Sequence, residues 1–173
     1  MSTLGLKRGT VKLRFYSKLW SSEFEKERQC LLNRLGNLAV DVQHIGSTSV
    51  PGLTAKPILD MAIGVRRFKD ARKLAKPLRE LGYNFDRPFQ HQLFFAKGSD
   101  AKRTHYVHVM RYNGAKWKSD ALFGEYLRNH PVRACAYAAL KVKLAKQHAD
   151  ERQKYSDGKD SFIKETLRLA RER

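Results

Sequence analysis

Apolar positions fall into two rhythms along this chain, one of period two and one near 3.6, and the order of the two rhythms outlines a fold. Lys7 to Phe15 alternates loosely and predicts a first strand or an extended arm. Trp20, Phe24, Leu31, Leu32 and Leu35 then recur at helical spacing. Ser22 and Glu25 form a capping-box pattern, so a helix is predicted over about Ser21 to Gly36, with Gly36 as its stop. Val40 to Ile45 reads as a strand ending at Gly46, and Ser47 to Pro57 as a loop rich in Ser, Thr, Gly and Pro. Ile58 to Val65 is a second strand. Its alternation puts Met61, Ile63 and Val65 on one face and Asp60, Ala62 and Gly64 on the other.

Phe68 to Leu81 is helical, with a bend expected near Pro77 and closure at Gly82. Strands are predicted at Tyr83 to Asp86, Gln92 to Lys97 and His105 to Arg111. From Trp117 the pattern is helical: Asp120 to His130, a helix opened by Pro131 and carried through Arg133 to His148, and Lys159 to Arg171. This order predicts an α/β (α+β) fold: a mixed sheet with flanking helices and a helical C-terminal region over about 117–173. No repeat or linker divides the 173 residues, so one domain is expected.

Composition adds little to the fold and more to the partners. No apolar run reaches transmembrane length and the N-terminal residues form no signal-peptide pattern, so a cytoplasmic protein without a membrane partner is expected. Cys30 and Cys135, set among Leu and Ala, read as buried thiols in a reducing compartment. Thirty-five Lys and Arg against seventeen Asp and Glu give a net charge of +18. Such a field attracts polyanions, nucleotides or RNA such as tRNA among them, and is densest over Arg66 to Arg79 and Lys97 to Lys118.

The candidate chemistry lies between the first two strands. Gly46 and Ser47 follow a strand directly, and Thr48 and Ser49 extend the polar turn. Backbone N–H groups and hydroxyls there can cradle phosphate oxygens. Asp60 follows thirteen residues after Ser47, on the outward face of the next strand. A carboxylate beside a phosphate cradle suits a divalent metal, Mg²⁺ or Mn²⁺, bridging acid and nucleoside triphosphate. Lys56 lies between cradle and acid, and Arg103 enters the strand holding His105 and His108, so both are candidate phosphate ligands. Alternation sets His108 with Thr104, Tyr106 and Met110, and we expect it nearest Asp60, as metal ligand or base. His44 reads as structural, Pro51 and Pro57 as shaping the loop, and Trp20, Phe24 and Trp117 as core. No dinucleotide-binding or P-loop glycine pattern occurs.

His44-Ile-Gly-Ser-Thr-Ser-Val-Pro-Gly-Leu, followed by Ala55-Lys-Pro-Ile-Leu-Asp60, closely resembles the signature of the GrpB family, also called UPF0157. Phe15-Tyr16, Trp20 and Phe24, then Arg103-Thr-His-Tyr-Val-His108, extend the resemblance. Phe123-Gly-Glu-Tyr-Leu-Arg-Asn-His-Pro131, Tyr137-Ala-Ala-Leu-Lys and Gly158-Lys-Asp-Ser-Phe-Ile carry it to the tail. It implies the nucleotidyltransferase fold. In that superfamily a Gly-Ser turn precedes a D-x-D pair, a third acid stands on a later strand, and three carboxylates hold two metal ions for attack of a hydroxyl on a nucleotide α-phosphorus. This chain departs from that pattern, because Ala62 takes the second acid's place and Thr104 to Met110 contains none. Three readings follow. The first is metal-dependent nucleotidyl transfer to a nucleic acid or small hydroxyl. The second is a catalytically degenerate nucleotide- or RNA-binding module, or a partner domain like that fused to dephospho-coenzyme A kinase. The third, ranked last, is a metal hydrolase built on His44, His105 and His108.

Overall fold

The computed structural model describes residues 3–172, and these form a five-stranded mixed sheet flanked by helices. Strand β1 (Asp41–Ile45) pairs antiparallel with β2 (Leu59–Val65), and β2 runs parallel to the long β5 (Lys102–Arg111). Between them in sequence lies the hairpin of β3 (Tyr83–Phe89) and β4 (Gln92–Ser99), so the spatial order is β1-β2-β5-β4-β3. A chain running from β2 to a parallel neighbour must cross the sheet first. Here it does so through a 3₁₀ helix (Phe68–Leu74) and α2 (Ala75–Glu80), then returns by way of the hairpin.

The two faces of β2 are buried by different layers, which is why its sequence is apolar nearly throughout. Met61, Ile63 and Val65 join Val107, Val109 and Phe95 beneath α1 (Leu19–Leu35) and α2, in a core that includes Trp20, Phe24, Leu31 and Leu78. Ala62 faces the opposite side with Ile45, Met110 and Trp117 of α3 (Ala115–Asn129). The remaining helices, α4 (Pro131–Gln147), α5 (Arg152–Asp157) and α6 (Asp160–Arg171), lie on that second side with α3. Among the described residues no helix is long and apolar enough to cross a membrane.

Polar contacts from the middle of α1 fasten it to strands on both sides of the sheet. Arg28 meets Asp41 at 2.8 Å, and Glu27 accepts from both Tyr83 (2.8 Å) and Lys97 (2.7 Å). Leu6 pairs with Arg103, the chain turns at Arg8 and Gly9, and residues 10–15 form an extended arm tied by the pairing of Arg14 with Ala55.

Four expectations need correction. The Ser22–Glu25 capping box does not form. The helix starts at Leu19, whose N–H donates to the Ser17 hydroxyl, and Ser22 sits inside it, donating to the Leu19 carbonyl. The break expected at Pro77 lies between Leu74 and Ala75, where 3₁₀ becomes α-helix. Pro77 therefore occupies a first turn, where its missing N–H costs nothing. The strand expected to end at Asp86 continues to Phe89 past a bulge between Phe85 and Arg87. Cys30 and Cys135 are exposed, because each falls on the outward side of its helix rather than on the apolar stripe.

Gly98 closes the β4–β5 hairpin at φ +97°, and a Cβ there would lie 2.2 Å from the Lys102 carbonyl oxygen. Backbone cannot yield as a side chain does. Gly98→Ala is expected to lower the unfolding free energy by about 2 kcal/mol or more, measured by urea denaturation.

Candidate functional site

Parallel pairing of β2 with β5 sets Asp60 opposite Tyr106 and Ala62 opposite His108. Asp60 and His108 thus share a face, two residues apart along the ladder, and the His108 Nε2 atom stands 3.9 Å from Asp60 Oδ1. That is an ion-pair separation rather than a direct hydrogen bond. Ala62 lies beside His108 in the ladder and packs against Ile45, Met110 and Trp117, so a carboxylate at position 62 would enter an apolar cluster.

Gly46 is held against Asp60 from the other direction. At φ +69°, a Cβ on residue 46 would approach Asp60 Oδ2 to 3.0 Å, so the turn comes this close only without a side chain. The 3₁₀ turn Ser47–Ser49 follows. Its hydroxyls divide their work. Thr48 bonds His44 Nε2 at 2.9 Å, and Ser49 donates to the Gly46 carbonyl at 2.7 Å. Gly46, Ser47 and Thr48 line a cleft of about 510 Å³ together with Lys56, Asp60 and His108. Ser49 is turned away from it, toward Arg128, which donates to its carbonyl.

Burial pushes the Asp60 carboxyl upward, but His108, Lys56 and Arg152 outweigh that effect and hold it below the ordinary range. Lys56 and Lys159 are half-buried, and both ammonium groups lie over the Tyr155 ring, at 5.5 and 4.5 Å from its centre. Neither makes a salt bridge to a carboxylate among the described residues. Desolvation, with Arg152 and Lys159 nearby, drives the Lys56 pKa well down, and desolvation also lowers that of Lys159. Lys141, 1% exposed, donates to the Thr54 carbonyl and pins the loop between β1 and β2 to α4; burial brings its pKa to about 7.

The expected site residues therefore separate into groups. Gly46, Ser47, Thr48, Lys56, Asp60 and His108 come together in one cleft. Arg103 does not join them. It bonds Asp100 in the hairpin turn and faces a second cleft, of about 650 Å³, which Asp60, Lys56 and His108 also border. The three histidines do not converge. His105 lies on the α1 side, edge-on to Tyr83 and bonded to Thr104, while His44 stacks on Phe24 at 4.6 Å. Among the described residues no group of three metal-ligating side chains forms. Sequence reasoning missed Lys159, Tyr137 and Tyr155, which reach the cleft from the C-terminal helices. The signal lay in the tail motifs Tyr137-Ala-Ala-Leu-Lys and Gly158-Lys-Asp.

Asp60 and His108 do not fit a paired-metal centre, and Asp120, the other carboxylate lining the cleft, is bonded to Lys116. Second and third acids are missing from the strands that would carry them, and Lys56, Lys159 and Arg152 already supply the positive charge that Asp60 attracts.

Residues 10–169 match the family described as GrpB protein. The glutamate-rich protein GrpB of Alkalihalophilus pseudofirmus is 34% identical over 170 residues, 95% of this chain and 98% of that protein. UPF0157 protein YqkA of Bacillus subtilis is 36% identical over 89% of this chain, which spans 45% of that relative's length. A dephospho-CoA kinase of Mycobacterium leprae shares 26% identity over 88% of this chain and 44% of its own. Among solved structures, conserved protein GrpB from Enterococcus faecalis superposes with a TM-score of 0.83 at 34% identity, covering 92% of this chain and 96% of that one. A cytoplasmic RNA terminal U-transferase superposes at 0.54 with 13% identity, over 76% of this chain and 41% of its own, which places this sheet among nucleotidyltransferase folds.

His44 offers a test of the site's frame. Burial lowers its pKa to about 4 from 6.5, so the folded state holds it neutral where the unfolded chain binds a proton. Its contribution is complete above about pH 6.5 and is lost as pH falls through that window toward 4. His44→Phe, which keeps the stack on Phe24, is expected to flatten the acid side of the stability curve by up to about 3 kcal/mol, measured by urea unfolding across this range.

Proposed function

The chain belongs to the GrpB family, and from that membership and the geometry of the Asp60 cleft we propose that it binds a nucleotide through its phosphates without a paired-metal centre. The observation that carries this reading is the meeting of Lys56 and Lys159 over Tyr155, half-buried and without a salt-bridged carboxylate, opposite the Gly46–Thr48 turn. Two desolvated ammonium groups repel each other and are costly until an anion arrives. A phosphate chain supplies that anion, and the turn, where it borders the cleft, adds hydrogen-bond donors of its own.

Asp60 has two parts in this account. It offsets some of the cation charge while the cleft is empty, and it orients His108. The second part supports a further reading, nucleotidyl transfer in which His108 accepts the proton of an attacking hydroxyl. Its α-phosphorus–oxygen bond forms as the bond to pyrophosphate breaks. The 3.9 Å separation of Asp60 and His108 at the meeting of two clefts favours this reading. Transfer of labelled nucleotide by the wild type and by Asp60→Asn tests it. Equal rates would remove any catalytic part for Asp60.

For binding, isothermal titration with ATP and with inorganic tripolyphosphate in EDTA is the direct experiment. Both are expected to bind, and Lys159→Met is expected to weaken each on the order of tenfold, as loss of one charged phosphate contact does. Binding is expected to take up protons, because the arriving anion raises the depressed lysine pKa values. Affinity therefore declines as pH rises through the interval between the Lys56 value in the empty cleft and that in the complex. Binding that appears only on addition of Mg²⁺ or Mn²⁺, and is indifferent to Lys159→Met, contradicts the proposal.

A further inference from the structure

Asp60, Lys56 and His108 border two clefts, and the second has an unbroken row of aromatic rings with arginines beside it. The first sets Lys56 and Lys159 beside the Gly46–Thr48 turn, against Phe123, Tyr137 and Tyr155. The second, about 650 Å³, is walled by Phe89, Phe94 and Tyr106, with Arg87 and Arg152 at their faces. The aromatic rings run in contact from the outer edge of the sheet inward. Phe89 lies 5.9 Å from Phe94, and Phe94 lies 5.0 Å from both Tyr106 and His108. At the outer end Phe89 is 44% exposed, on an edge strand that Pro88 protects from pairing with another chain. Arg87 sits 5.5 Å from the Phe89 ring centre, and Arg152 sits 5.1 Å from that of Tyr106.

We propose that this second cleft is a nucleobase site, with the base stacked on Phe89 and edge-on to Phe94, and the attached sugar-phosphate toward Arg152 and Lys56. This rests on the reading of the first cleft as a phosphate site. Flat aromatic faces beside guanidinium groups are how proteins hold unpaired bases without reading their sequence. An acidic peptide or a lipid surface would use the arginines but leave the inward-running rings without a planar partner. The carboxylates of the cleft are mostly engaged already. Asp86 pairs with Arg8 and Arg87 at 3.5 and 3.2 Å, and Glu151 with Lys154, so the charge left open toward a ligand is positive. Arg152 makes no salt bridge to a carboxylate among the described residues; it bonds the Tyr106 hydroxyl, and its other N–H groups can meet a phosphate.

The base has two possible sources. It belongs either to the nucleotide whose phosphates fill the first cleft or to the end of a separate single strand. Because Lys56, Asp60 and His108 line both clefts, either ligand brings its reactive oxygens beside the same pair of side chains. In the second case two ligands abut at Asp60 and His108, as a transfer reaction requires.

Three probes separate these outcomes: tripolyphosphate, which has no base; ATP; and a short single-stranded oligonucleotide without a 5′-triphosphate. Affinities are measured for the wild type, Phe89→Ala, Phe89→Trp and Lys159→Met. Phe89 is partly exposed, so its variants are expected to fold, and circular dichroism checks this. Phe89→Ala is expected to weaken at least one base-bearing probe on the order of tenfold, Phe89→Trp to preserve it, and neither to alter tripolyphosphate binding. Loss for ATP assigns the base to the nucleotide of the first cleft, and loss for the oligonucleotide assigns it to a strand end. The proposal is overturned if ATP and oligonucleotide bind Phe89→Ala as tightly as the wild type, or if neither binds the wild type at all. A different result speaks against the phosphate reading of the first cleft: tripolyphosphate that fails to bind, or ignores Lys159→Met, while the Phe89 dependence of the oligonucleotide persists.

Discussion

Parallel pairing of β2 with β5 is the constraint from which the rest of this structure follows. It obliges the chain to cross the sheet between the two strands, and so creates the α2 layer and the β3–β4 hairpin. It buries β2 on both faces, one under Trp20 and Leu31, the other against Trp117. It also fixes the register that sets Asp60 two steps from His108 on one face. A one-residue slip would send Asp60 into the apolar core and bring Met61 to the cleft. The site is therefore a property of strand register before it is a property of any side chain.

The C-terminal helices complete what the sheet begins. They bring Lys159 and Tyr155 over Asp60, and Lys141 over the loop that carries the Gly46 turn. Burial, with neighbouring cations that Asp60 only partly offsets, holds the pKa values of Lys56, Lys141 and Lys159 below the ordinary lysine value. Where the superfamily's pattern has three acids gathering metal ions, this cleft has fixed side-chain cations on the opposite wall.

Much of this was legible in the sequence. Alternation over Ile58 to Val65 gave the strand and put Asp60 opposite to Met61 and Ile63, because a strand buried on both faces still has only two directions for a side chain. The same alternation singled out His108 over His105 as the neighbour of Asp60. Local chemistry was less readable. Ser17 rather than Ser22 meets the first helical N–H groups, a choice of two serines that spacing alone does not make. Arg103 has the right residue type and strand for a phosphate ligand, yet Asp100 in the adjoining turn draws it aside. Lys159 and Tyr155 lie about a hundred residues beyond Asp60, and no periodicity within α5 or α6 points to their meeting with it. That meeting depends on how four helices pack, which is settled by the whole core.

The central claim is that Lys56 and Lys159 await an anion in the cleft that holds Asp60. The most direct measurement is the titration of the lysine side-chain nitrogens by NMR, with the Lys56 resonance assigned by substitution, in the empty protein and with saturating tripolyphosphate. Lys56 is predicted to titrate well below an ordinary lysine in the empty protein and to move upward on binding. A Lys56 that titrates as an ordinary exposed lysine in both states would contradict the account.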